Sequence, residues 1–143
     1  MLGKVINEPS YNRLCDLMDP ADHKGKVIYG NPNAHKDRNL TPTIVLKPSV
    51  DSGVMKDEIF GPILPILTFT NIDEVIAFSN SRPKPLAIYY YGTNSSDNEN
   101  MMKVKTQTSS GAYLVNDCAM HYLNLDLGFG GVGASGWGRI HGI

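Results

Sequence analysis

The chain has 143 residues, of which 41% are hydrophobic and 19% charged, a balance that excludes a disordered chain and fits a globular domain with one core. Its 13 basic and 14 acidic side chains leave a formal charge of −1 and are well mixed, so no basic face for nucleic acid emerges. Two cysteines, Cys15 and Cys118, are too few for a disulfide framework or a zinc cluster, and a reducing, cytoplasmic setting is the default expectation.

The opening "MLGKVINEPS" lacks the apolar core of a signal peptide. No apolar run in the chain approaches the roughly 20 residues of a bilayer span. "EPSYNRLCDLMD" (8–19) then places Tyr11, Leu14, Leu17 and Met18 at helical spacing, which predicts a helix with one buried face. The short β-branched runs "KVIYG" (26–30) and "PTIVLK" (42–47) predict strands, bounded by Gly, Asn and Pro. "ILPILTFT" (63–70) predicts another, with Pro65 tolerated near its start or on a sheet edge.

Asn71 opens the next helix, since its side chain can accept from the Glu74 N–H while the Glu74 carboxylate reaches back. Val75, Ile76 and Phe78 supply its buried face, and "SRPKP" (81–85) ends it. "LAIYYYG" (86–92) predicts a strand by β-propensity. A further helix follows, with N-caps offered at 94–96 and a stop at Gly111. "AYLVND" (112–117) is the last strand. Strands alternating with helices define an α/β fold, a mostly parallel sheet with flanking helices.

"GFGGVGASGWG" (128–138) contains G-x-G-x-x-G twice, at Gly128-Gly130-Gly133 and Gly131-Gly133-Gly136. A dinucleotide fingerprint must open a helix and be followed by an acidic residue about 20 positions later. Only "WGRIHGI" follows Gly136, so the phosphate-cradle reading fails on context, and no P-loop lysine is present either. Phe129, Val132 and Trp137 stand between the glycines, which instead predicts an ordered, tightly packed loop that sends side chains toward a pocket.

Three stretches, "VMKDEIFGPILPI" (54–66), "KPLAIYYYG" (84–92) and the block from Gly111 to Gly142, together resemble the C-terminal part of aldehyde dehydrogenases of the class 3 and fatty-aldehyde branch. "NLTPTIVLKPS" (39–49) is similar to the family's Pro-Thr-Ile segment, so the likeness covers nearly the whole chain in order and spacing. It implies that residues 1–143 are a C-terminal portion of the catalytic domain, with the nucleotide-binding domain built from sequence outside them. The glycine loop would then border the aldehyde entrance.

The resemblance also assigns roles. Glu58 matches the glutamate that bonds the nicotinamide ribose hydroxyls of NAD or NADP, and a carboxylate has two acceptors suited to a diol. Read without the resemblance, Glu58 is a solvated acid beside Asp57. Phe60 matches the aromatic that packs near the nicotinamide, with an ordinary core phenylalanine as the alternative. Ala119, Tyr122, Phe129 and His141 fall on positions lining the substrate funnel, where they would select among medium- or long-chain or aromatic aldehydes. His141 read alone is a solvated histidine. One departure stands beside them: the family usually has Pro before the loop phenylalanine, and this chain has Gly128.

The family's thiolate nucleophile, base glutamate and oxyanion amide all come from other segments, so the isolated chain is expected to be inactive. Cys118 takes a position commonly aliphatic, and both it and Cys15 read as inert small hydrophobes. Asn116 reads as a buried residue bonding nearby backbone. The resemblance further implies a homodimer. Fatty-aldehyde relatives often carry a membrane anchor after the final His-Gly, and this sequence stops at Ile143. The alternative to a dehydrogenase portion is a non-catalytic interaction module. Either way, a parallel sheet without its neighbouring domain is expected to expose apolar surface and strand edges.

Overall fold

A computed structural model describes residues 3–30, 37–93 and 99–142. Its first helix, α1 (Glu8–Asp16), is started by Asn7, whose side-chain oxygen accepts from the Ser10 N–H at 2.9 Å. The predicted helix stops short of residue 19 because Asp19 caps a second, four-residue helix, α2 (Pro20–His23), with Pro20 at its first position.

The chain divides into two compact units, residues Met1–Thr68 and Phe69–Ile143, where composition suggested a single core. The first unit holds α1, α2 and a three-stranded sheet of β1 (Lys26–Tyr29), β2 (Thr43–Leu46) and β3 (Ile63–Ile66). β1 pairs antiparallel with the central β2, with an irregularity between Val27 and Tyr29, and β2 pairs parallel with β3. The sheet and α1 close over Leu14, Met18, Leu40, Val45, Val54 and Ile63, with Leu14 and Val45 wholly buried. β3 is four residues long, half its predicted length, and Pro65 lies on this edge strand as its missing N–H requires.

In the second unit, α3 (Ile72–Asn80) begins where the cap predicted it. Asn71 accepts from the Glu74 N–H at 3.1 Å, and the Glu74 carboxylate returns to the Asn71 side-chain amide (2.9 Å) and to the Thr70 N–H (3.2 Å). The carboxylate thus serves the residue before the cap, not the cap's own backbone. Of the expected face only Ile76 is buried. Val75 and Phe78 are half-buried, and the Arg82 guanidinium lies 4.5 Å from the Phe78 ring centre.

β4 (Ala87–Tyr90) and β5 (Ala112–Val115) form a two-stranded parallel sheet, and α4 (Glu99–Gln107) precedes β5. The proposed N-caps at 94–96 lie outside the described residues. α4 ends four residues before Gly111, whose role differs from a helix stop. A Cβ there would overlap the Gly130 carbonyl, so the glycine permits the start of β5 to lie against the glycine loop. The α/β class and the prevalence of parallel pairing hold, divided between two small sheets.

Buried residues in this unit are few, chiefly Ile76, Met101 and Val104, while Met120, Tyr122, Leu123, Leu125, Leu127, Trp137 and Ile140 are exposed. Such a surface should bind an apolar dye. The isolated chain is expected to raise dye fluorescence under native buffer and to associate as its concentration increases. A monomeric, dye-silent chain with one cooperative thermal transition is the contrary result.

Candidate functional site

In the first unit, residues 57–62 form a turn between the short 3-10 helix Gly53–Met55 and β3. Glu58 is exposed, and Phe60 is 78% exposed. Both open onto a groove of about 940 Å³ lined also by Lys4, Arg13, Lys56 and Asp57. Phe60 is therefore not a core phenylalanine. Its backbone is left-handed, with φ +47°, which costs an aromatic L-residue about 1–2 kcal/mol and requires restraint from its surroundings. The Arg13 Nη2 donates to the Ile59 carbonyl at 2.6 Å, and the Thr43 N–H donates to the Pro62 carbonyl at 2.9 Å. A Cβ on Gly61 would run into the Leu14 side chain, so glycine lets the turn sit flush on α1.

In the second unit, the glycine loop is ordered by a two-way backbone bridge. Phe129 N–H donates to Ile140 (2.9 Å), and Ile140 N–H donates back to Phe129 (2.8 Å). The hydroxyl of Ser135 accepts from the Val132 N–H and donates to the Val132 carbonyl, both at 3.0 Å, closing the turn between them. The only helical piece in the loop is the 3-10 turn Gly133–Ser135, so it presents no helix N-terminus of the kind a dinucleotide fingerprint needs. Trp137 corrects the expectation of inward-facing side chains, being fully exposed.

Phe129 is the hub of the loop's aromatic cluster. Its ring centre lies 5.1 Å from His121, 5.2 Å from Tyr122 in an edge-on arrangement, and 6.5 Å from a near-parallel His141. Ala119, Tyr122 and Phe129 line one apolar cavity of about 340 Å³ with Leu86, Tyr89 and Met120. His141 does not line that cavity. It meets Phe129 and Tyr122 through its ring and is half-buried, so it is not simply solvated. Its Nδ1 lies 2.8 Å from the Leu127 carbonyl, which can only accept; the neutral ring thus carries its proton there and offers a lone pair at Nε2.

The sequence reading did not single out His121. Its ring packs against Tyr89 and Phe129, and both ring nitrogens are buried without a hydrogen-bond partner. Its signal was its place between Ala119 and Tyr122 in the same block. Asn116 bonds backbone as expected, accepting from the Gly92 N–H at 2.9 Å, but it is exposed because it lies past the end of β5 with φ +55°. Cys118 is exposed as well, which removes the small-hydrophobe reading, while Cys15 is half-buried. Hydrogen bonding toward the Cys118 thiol first, and desolvation second, raise the Tyr91 phenol above its ordinary pKa. Among the described residues no cluster of three or more His, Cys, Asp or Glu could hold a metal, and no helix is long and apolar enough to cross a membrane.

The "Aldehyde dehydrogenase family" model matches residues 1–143. The chain belongs to the aldehyde dehydrogenase family. Within it, the relatives it is similar to include human aldehyde dehydrogenase family 3 member B1, 43% identical over 99% of this chain and 29% of that protein. The 4,4'-diaponeurosporen-aldehyde dehydrogenase of Staphylococcus aureus is 42% identical over 98% of this chain and 29% of its own length. The solved structure of the substrate-bound state of Staphylococcus aureus AldH superposes with a TM-score of 0.83 at 42% identity, covering 98% of this chain and 30% of that one. The chain thus spans 29% of the length of these curated relatives, in the class 3 branch that its motifs resemble.

Proposed function

We propose that these residues form the C-terminal part of the catalytic domain of an NAD- or NADP-dependent aldehyde dehydrogenase that oxidises medium- or long-chain or aromatic aldehydes to acids. The observation that carries this is the turn at 57–62. It spends a strained backbone on an exposed phenylalanine beside an exposed carboxylate, an arrangement that contributes nothing to the core. Glu58, with two acceptor oxygens free of protein partners among the described residues, suits the vicinal diol of a ribose. Phe60 offers the flat apolar face against which a nicotinamide ring can lie. The residues present fit the nicotinamide half of the cofactor, which when bound supplies a hydride acceptor.

The apolar cavity of Ala119, Tyr122 and Phe129 supports an apolar aldehyde substrate, excluding water from its chain while His141 holds an acceptor nearby. By family likeness the thiolate, the water-activating glutamate and the oxyanion donor come from other segments. These residues supply walls and cofactor contacts, in a cytoplasmic homodimer. The test is the intact mass and activity of the native polypeptide that yields these peptides. A species several-fold heavier than 15.7 kDa that reduces NAD⁺ or NADP⁺ with decanal or benzaldehyde is the expected result. A 15.7 kDa product without that activity overturns the proposal in favour of a non-catalytic interaction module.

A further inference from the structure

We infer that Arg13 is a positioning residue for the cofactor contact, an inference that rests on the reading of Glu58 and Phe60 just given. Phe60 is too exposed for ring packing to fix its conformation, so the left-handed turn must be held through the backbone. The Ile59 carbonyl belongs to the peptide that joins Ile59 to Phe60, and its direction sets ψ of the first and φ of the second. Arg13, 46 residues earlier on α1, fixes that carbonyl with a 2.6 Å charge-assisted bond. The next helix residue, Leu14, packs against Gly61. Two consecutive residues of α1 therefore grip the turn on either side of Phe60.

Arg13 makes no ion pair among the described residues, although Asp57 and Glu58 line the same groove. Its guanidinium is committed to the backbone, which leaves the Glu58 carboxylate available to a diol. The planar fork matters here, because a lysine ammonium in its place has no fixed direction from which to hold the carbonyl.

The test compares wild type, R13M and R13K. In the full 143-residue chain at low micromolar concentration, hydrogen exchange read by mass spectrometry should accelerate about tenfold in R13M at the Thr43 and Ile63 amides, whose bonds to the Pro62 and Gly61 carbonyls close the turn. Peptides covering α3 should be unchanged, and R13K should recover part of the protection. In the complete enzyme carrying this segment, R13M should raise KM for NAD⁺ about tenfold with less than about a twofold change in KM for the aldehyde, a split that general loosening would not produce. Unchanged exchange at Thr43 and Ile63, or an unchanged KM for NAD⁺, overturns the inference. If R13M exchanges faster everywhere, R13K decides: acceleration confined to Thr43 and Ile63 supports the grip, and acceleration everywhere or nowhere overturns it. A complete wild-type enzyme without cofactor-dependent aldehyde oxidation would remove the functional reading, while the exchange experiment still rules on the Arg13 grip.

Discussion

Replacing Leu14 with alanine is expected to cost about 2–5 kcal/mol, because a fully buried leucine leaves both lost contacts and a cavity. The side chain lies among Met18, Leu40, Val45, Val54 and Ile63, and it is also the surface on which Gly61 rests. A loss of that size is comparable with the whole stability of a small folding unit, so residues 1–68 should be largely unfolded in L14A. Urea denaturation followed by far-UV circular dichroism measures it. L14M should cost less than about 1.5 kcal/mol, since it nearly conserves volume. A loss under about 1 kcal/mol in L14A would mean that α1 is not the keystone of this core.

The second large effect is expected at Gly130. A Cβ there would overlap the Gly138 carbonyl, a backbone atom that cannot swing aside as a side-chain end would. G130A should therefore break the bridge between Phe129 and Ile140 and release the ring at the centre of the aromatic cluster, at a cost of about 1–3 kcal/mol. G138A is the matched control, since a Cβ at that position meets nothing within 4 Å and should change stability by less than about 0.5 kcal/mol. Amide exchange at Phe129 and Ile140 reads the difference. Equal protection in both variants would show that the loop does not depend on this close approach.

These features were legible to different degrees. The Asn71 cap and α3 could be read directly, because capping is decided by residues three apart whose bonding the sequence itself specifies. Sequence alone overextends β3, because Leu67 to Thr70 keep strand propensity although no ladder partner extends past Ile66. The division into two units is a property of how buried residues group in space, which composition does not carry. At the candidate site, Glu58 and Phe60 are proposed through resemblance alone, for without it an acid beside another acid reads as solvated surface. The left-handed φ of Phe60 was invisible, since that conformation is imposed by Arg13 and Leu14 across 46 residues of chain. Trp137 was misplaced for a related reason: glycine spacing shows where a backbone bends, not which way the intervening side chain faces.

The two sheets also differ in how they treat a foreign strand. In the ladder between β2 and β3, the carbonyls of Pro62 and Ile66 face inward to Thr43 and Lys47, so by alternation the backbone of Pro65 faces the outer edge. Proline has no hydrogen to give there, and a chain aligning itself along β3 would find no donor at that position. The opposite edge, β1, is broken by its irregularity between Val27 and Tyr29. Each side of the first sheet thus carries a device that discourages templated growth. The pair β4 and β5, "AIYY" beside "AYLV", has neither a proline nor a bulge. Residues 87–90 and 112–115 are therefore the segments at which intermolecular β-pairing would begin, and the places where a single lysine or proline would do most to keep copies of this chain apart.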